Sequence, residues 1–287
     1  MNNLGDLYYY GRGVAQDYGK TREWYQKAAD AGYAVAMANL GWLYAKGDGV
    51  ARDYDKAREW YQKAAAAGNT DAMYNLGVLY RDGKGVAQDY DKAREWYQKA
   101  AVAGSTDAKQ ALASQSPPAQ PAPVAAVTPS PQVIATPLTP QPSAAESLAE
   151  AQRYLNTKDF AKALPLLQKA ADAGNPIAMY NLGWLYEHGK GVAQDYDKAR
   201  EGYQKAAEAG NREAMNNLGW LYGHGLGGAQ DYDKAREWFQ KAVDAGSPDA
   251  MNNLGELYYY GHGVTRDYGK AREWYQKAAD GGNTNAM

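Results

Sequence analysis

Residues 71 to 106 read DAMYNLGVLYRDGKGVAQDYDKAREWYQKAAVAGST, and the fold follows from how that stretch is parsed. In its first half Ala72, Leu76, Leu79 and Tyr80 recur at the spacing of a 3.6-residue period, so they share one face of a helix. The loop Gly83-Lys84-Gly85-Val86 then breaks that helix, because glycine reaches the positive φ angles a tight reversal needs. Asp89 is placed to cap a second helix. On it Tyr90, Ala93, Tyr97 and Ala100 form the apolar face, and Asp91, Lys92, Arg94, Glu95, Gln98 and Lys99 the solvated one. Gly104 closes it. One such helix pair cannot bury its own apolar face, so the stretch is expected to be one unit of a stacked array.

The rest of the chain bears this out as sequence. The Leu76-Gly77 pair returns at Leu4-Gly5 and Leu40-Gly41, and again at Leu182-Gly183, Leu218-Gly219 and Leu254-Gly255, with a spacing of 36 inside each group. The stretch MNNLGDLYYYGRGV from Met1 recurs from Met251 as MNNLGELYYYGHGV, with only Asp6 against Glu256 and Arg12 against His262. Asn175-Pro176 and Ser247-Pro248 place a capping side chain before a proline at the first helical position, where a missing N–H costs nothing.

Six units carry Leu-Gly, Leu-Tyr, Gly-x-Gly-Val, Asp-Tyr, Lys-Ala or Lys-Thr, Trp-Tyr, Lys-Ala-Ala and a closing glycine. In these residues the chain resembles the Sel1-like repeat family, a branch of the tetratricopeptide-like (TPR) alpha-solenoids. The resemblance implies an all-α fold: two short right-handed alpha-solenoids of Sel1-like/TPR helix-loop-helix repeats joined by a Pro-rich linker. Departures are local. Gly228 replaces the loop valine, Phe239 a tyrosine, and Gly202 the helix tryptophan found at Trp60 and Trp238, which predicts a notch or a weak turn. The stretch SLAEAQRYLNTKDFAKALPLLQKAADAGN from Ser147 lacks the four-residue glycine insertion and reads as an ordinary TPR unit. The expected organisation is a first array over 1–113 (three repeats and a truncated helix) and a linker over 114–143. A TPR-like repeat over 144–178 and a second array over 179–287 follow.

From Gln110 to Ala145 no residue is charged, and nine prolines fall between Pro117 and Pro142. Such a stretch is expected to be an extended, semi-rigid spacer, disordered in the sense of lacking a packed core, with a reach on the order of 90 Å. The alternative is intramolecular docking, in which Val124, Val127, Val133-Ile134 and Leu138 enter a groove of an adjacent array and block it.

Composition narrows the chemistry. A formal charge of -2 gives no basic footprint for nucleic acid or anionic membrane, and no apolar run is long enough to span a bilayer. The start has neither a cationic n-region nor an apolar h-region, which reads as a soluble, cytoplasmic chain as written, or a periplasmic or secreted one if a leader is missing. There is no cysteine, so disulfides, thiolate metal sites and cysteine nucleophiles are excluded. The glycine loops lack GxGxxG and GK[ST] and follow no strand, so they are turns rather than phosphate cradles. His188 and His224 share a column that no third histidine joins, and no GxSxG occurs. No catalytic, metal or cofactor residue is expected. Some Sel1-like proteins are linked to beta-lactam hydrolysis, but those are cysteine-rich, and this chain departs from them there.

The resemblance also implies that the first helices line a concave face. The columns turned inward should be the residues two before and two after each Leu-Gly leucine, with the asparagine column at Asn3, Asn39, Asn75, Asn181, Asn217 and Asn253 beside them. Groove candidates in the first array are Asn39, Trp42, Tyr74, Asn75 and Arg81. In the second they are Tyr180, Asn181, Trp184, Glu187, Asn216, Asn217, Trp220, Asn252, Asn253, Glu256 and Tyr259. Rings supply buried area, amides bond a peptide backbone, and acids favour basic side chains. Related tetratricopeptide domains hold peptides with such an asparagine, while an asparagine that satisfied the inter-repeat backbone would recur as faithfully. The expected function is a non-enzymatic scaffold or adaptor that binds a peptide or protein segment in two tethered grooves. The alternatives are a cell-wall or beta-lactam hydrolase, by family analogy, and a passive structural spacer.

Overall fold

The computed structural model describes residues 2–113 and 143–283, and within them every regular element is a helix. The helices fall into two units. The first holds α1 (Asn2–Tyr10), α2 (Tyr18–Asp30), α3 (Ala34–Lys46), α4 (Tyr54–Ala66), α5 (Thr70–Asp82), α6 (Tyr90–Val102) and α7 (Thr106–Ala113). The second holds α8 (Ala144–Asn156), α9 (Phe160–Asp172), α10 (Pro176–His188), α11 (Tyr196–Glu208), α12 (Arg212–His224), α13 (Tyr232–Asp244), α14 (Pro248–Tyr260) and α15 (Tyr268–Asp280). In each unit consecutive helices pack on one another, and a first helix also touches the first helix of the next repeat at α3–α5 and α12–α14. This is the solenoid arrangement. The linker residues 114–142, and with them the docking of their apolar islands, lie outside the described residues.

The helix starts are set by the side chains expected to set them. Asp17, Asp53, Asp89, Asp195, Asp231 and Asp267 all sit in extended backbone and accept from the backbone N–H three residues on, satisfying one of the first-turn donors. Asn69, Asn175, Asn211 and Ser247 cap first helices in the same way, with Pro176 and Pro248 in their first turn. The shorter connection between α8 and α9 has no glycine insertion. There Lys158 is the non-glycine residue with positive φ (61°), and Asp159 makes no side-chain cap bond.

The Leu-Gly pair has a specific packing reason. A Cβ on Gly5, Gly41, Gly77, Gly183 or Gly255 would stand 2.4 to 2.7 Å from the ring of Tyr25, Tyr61, Tyr97, Tyr203 or Tyr275, the partner tyrosine on the second helix of the same repeat. At Gly219 the ring is Phe239, at 2.7 Å. The glycine is thus a seat for a buried ring, and only secondarily a place where backbones approach. The second loop glycine makes the contact between repeats: a Cβ on Gly49 would meet Tyr18, and Gly85, Gly191, Gly227 and Gly263 stand in the same way against Tyr54, Phe160, Tyr196 and Tyr232.

Two expectations need correcting. Tyr90 does not share the buried face of α6: it is 60% exposed, while Ala93, Tyr97 and Ala100 are buried. Its equivalents Tyr18 and Tyr54 are covered by the loop glycine of the following repeat, and among the described residues α7 brings no such loop to Tyr90. Gly202 does not break α11, which runs over 13 residues like its sister helices. It does leave a notch, taken up below.

Candidate functional site

In each unit a cavity on the first helices takes in some of the expected column positions. In the first unit a cavity of about 410 Å³ opens between α1, α3 and α5, lined by Asn2, Asp6, Tyr9, Tyr10, Ala38, Asn39, Trp42 and Asn75 among others. In the second a cavity of about 330 Å³ involves Trp220, His224, Asn253, Glu256, Tyr260 and His262. Both are in the range of ligand clefts. Of the sequence candidates, Asn39, Trp42 and Asn75 meet in the first cavity, and Trp220, Asn253 and Glu256 in the second.

The asparagine column ties repeats together through side chains. Asn39 Nδ2 donates to Asn2 Oδ1 at 2.6 Å, and Asn253 Nδ2 donates to Asn216 Oδ1 at 2.9 Å. Within α12 the Asn217 Oδ1 accepts from Asn216 Nδ2 at 3.4 Å. The Asn39–Asn2 and Asn253–Asn216 bonds each join the asparagine column to the column before it in the preceding repeat, which fixes where those amides point.

Several candidates are engaged inside the unit rather than turned to the cavity. The ring of Tyr74 packs on Tyr97 at 5.5 Å and that of Tyr180 on Tyr203 at 5.6 Å. Arg81 Nε donates to Asp82 at 2.7 Å, and the pair holds the Asp82 carboxyl below its ordinary value. Asn181 is half-buried on α10. Asn252 is buried, 4% exposed, and its amide donates to Glu256 at 3.1 Å, so it reaches the cavity through that carboxylate. Tyr259 lies edge-on to Tyr260 and Tyr268.

The tryptophans divide. Trp42 packs against the cores of two adjacent repeats, and so does Trp184, which also meets Phe160. Trp220 is 38% exposed, with His224 stacked on it at 4.2 Å. His188 stacks on Trp184 in the same manner, and both histidines face a backbone carbonyl four residues back through Nδ1. Among the described residues no group of three or more His, Cys, Asp and Glu could hold a metal ion.

The acids of the face are bonded by buried phenols. Tyr25 Oη donates to Asp6 Oδ1 at 2.5 Å, and Tyr203 Oη donates to Glu187. Burial first, and then the neighbouring carboxylate, push both phenols above their ordinary range, so at neutral pH they are fixed as donors. Burial also raises Asp6, against the opposing effect of the Tyr25 bond.

The columns read from the sequence did not take in His262, Tyr9, Tyr10 or Tyr232. His262 enters the second cavity by stacking on Tyr232 at 4.7 Å and Tyr260 at 5.5 Å. The signal available was the loop register: the second loop glycine, Gly263, abuts Tyr232 of the preceding repeat, so the residue before it must lie there too.

The Sel1 repeat model matches residues 1–33, 34–69, 70–105, 142–175, 176–211, 212–247 and 248–283, taking in the unit without the glycine insertion. Among solved structures, a protective antigen of uropathogenic Escherichia coli displaying an SLR fold is 28% identical. The alignment covers 99% of this chain and 54% of that one, with a TM-score of 0.47. The chain therefore spans about half the length of that protein. A Sel1 repeat protein from Oxalobacter formigenes is also 28% identical, over 98% of this chain and 86% of that one, with a TM-score of 0.36. Helicobacter pylori cysteine rich protein B is 23% identical over 39% of this chain and 94% of its own, with a TM-score of 0.32. No curated protein matches the chain. No helix among the described residues is long and apolar enough to cross a membrane.

Proposed function

The chain belongs to the Sel1 repeat family, and from that premise we propose that it is a non-enzymatic adaptor holding extended peptide segments on the first-helix faces of its two units. The observation that carries this reading is Trp220. It is a large ring left 38% exposed at the rim of a cavity that also offers the Asn253 amide and the Glu256 carboxylate. An exposed ring beside oriented polar groups suits a side-chain anchor, with the acid favouring a basic neighbour. The first unit sets Trp42, Asn75 and Asp6 around its own cavity, there with the indole packed on the repeat cores, and two grooves on one chain raise avidity for a partner that reaches both.

The test is a selection of displayed extended peptides on the full chain, followed by titration of the enriched peptides against wild type and Trp220→Ala. Loss of on the order of thirtyfold in affinity, with far-UV helicity retained, is the expected result for an anchor of hot-spot size. Equal binding by both proteins, or turnover of a beta-lactam or cell-wall substrate by the purified chain, would overturn the reading.

A further inference from the structure

The second helices carry a tryptophan in one column, at Trp24, Trp60, Trp96, Trp238 and Trp274, each under the ammonium of the lysine three residues on. The distances from Nζ to the ring are 4.3, 4.1, 4.3, 3.9 and 4.4 Å. In the repeat formed by α10 and α11 that position is Gly202, while the lysine remains as Lys205. A cavity of about 180 Å³ opens there, and Ala171, Met179, Leu182 and Tyr186 form its floor.

The floor has a counterpart with the ring in place. One repeat position corresponds to the next by a constant offset, so Ala171, Met179 and Leu182 are the equivalents of Ala29, Met37 and Leu40. Trp60 and Met37 both pack against the cluster that contains Ala29 and Leu40. Trp96 and Met73 pack in the same way on the cluster of Ala65 and Leu76, and Trp238 and Met215 on that of Ala207 and Leu218. The column thus holds a tryptophan in α2, α4, α6, α13 and α15, Leu166 in α9 and Gly202 in α11, and of these only glycine supplies no side chain to the seat.

We propose that the notch at Gly202 is a binding site for an indole-sized planar aromatic ring, seated on Met179 and Leu182 and covered by the Lys205 side chain. Around the apolar floor stand Gln168, Asp172, Lys198, Glu201 and Lys205, so the notch is an apolar seat with a polar rim. The rim is electrically balanced, because Lys198 and Lys205 stand against Asp172 and Glu201, with Lys205 Nζ paired to Glu201 at 2.7 Å, so the ring that fits is neutral. Lysine retains the reach to lie over its face, as it does over the five sister tryptophans. The cavity is lined from α9, α10 and α11 and contains neither Trp220 nor Glu256, so its fate is separable from that of the peptide groove.

The experiment titrates free indole, and separately N-acetyl-tryptophanamide, into the full chain while the methyl resonances of Met179 and Leu182 are followed by NMR. A saturable shift of those methyls is expected. Gly202→Trp should abolish it by supplying the ring, and Lys205→Gln should weaken it roughly two- to fivefold by removing the cation over the ring. Gly202→Trp requires α11 to yield, since a Cβ at 202 would stand 2.9 Å from the Gly183 nitrogen, so Lys205→Gln decides the matter if that variant loses helicity. Saturation by indole alone assigns the site to a free small molecule. Saturation by both probes assigns it to a tryptophan side chain of a partner. Absence of a saturable shift with either probe, or a shift unchanged in Gly202→Trp and in Lys205→Gln, overturns the proposal.

Discussion

The fourteen residues from Met1 and the fourteen from Met251 differ at two positions, yet the first group starts one unit and the second belongs to the last repeat of the other. Contacts inside the repeat are copied. Tyr9 lies on Tyr10 and Tyr18 at 4.8 and 5.3 Å, and Tyr259 lies on Tyr260 and Tyr268 at 4.8 and 5.4 Å. Contacts that leave the repeat are not. Tyr9 Oη donates to Asp48 at 2.8 Å and its ring meets Trp42, both in the following repeat, while His262 reaches back to Tyr232 in the preceding one. Near-identical residues therefore make different surfaces, because in a stacked array each repeat interacts only with its neighbours.

The largest test of this comparison removes what the two copies share. Tyr25→Ala and Tyr275→Ala each empty a ring seat at Gly5 or Gly255, and each should cost about 3–5 kcal/mol in denaturant unfolding. Costs that differ by more than about half would mean that the neighbours, and not the repeat, hold the ring.

A smaller effect belongs to one copy alone. Tyr9→Phe should cost about 1 kcal/mol by deleting the bond to Asp48, and a double-mutant cycle with Asp48→Ala should show the two changes to be non-additive. Additive costs would remove that bond from the list of repeat-to-repeat ties.

The smallest effect is read in pH. Asp6 has a folded pKa above its ordinary 3.8, so its contribution to stability is present below that value and is lost as pH rises through the raised one. Asp6→Asn should therefore gain stability relative to wild type on going from pH 4 to pH 7. The helix-capping Asp53, Asp89 and Asp195 run the other way, because the N–H of the lysine three residues on holds each carboxyl low. Their contribution is present above the unfolded value and lost as pH falls through the folded one. A stability profile of Asp6→Asn parallel to that of wild type would contradict the burial of this acid.

Much of this was legible in the residues. The 36-residue spacing, the aspartate caps and the glycine loops each rest on local chemistry, so the helix pairs and their stacking followed without coordinates. The Leu-Gly glycine was legible as a close approach but not as a ring seat, since which group approaches depends on the angle between two helices. The candidate site was read less completely. The columns did converge at Trp42, Asn75, Trp220 and Glu256, but Tyr74 and Tyr180 turned onto buried rings and Asn252 onto a carboxylate. A column position fixes which side of a helix a residue occupies, and it does not fix the rotamer that packing selects.

By itself the sequence determined the repeat, its helix limits and the break in composition between 113 and 144, because periodicity, capping and glycine φ preferences act within a few residues. Tertiary structure decided which rings were spent as core and which were left exposed, as in the division between Trp184 and Trp220. It also decided that a missing side chain at Gly202 became a lined cavity. Those outcomes depend on what the adjacent repeat brings within van der Waals distance, and the repeated phrase is the same whichever neighbour it meets.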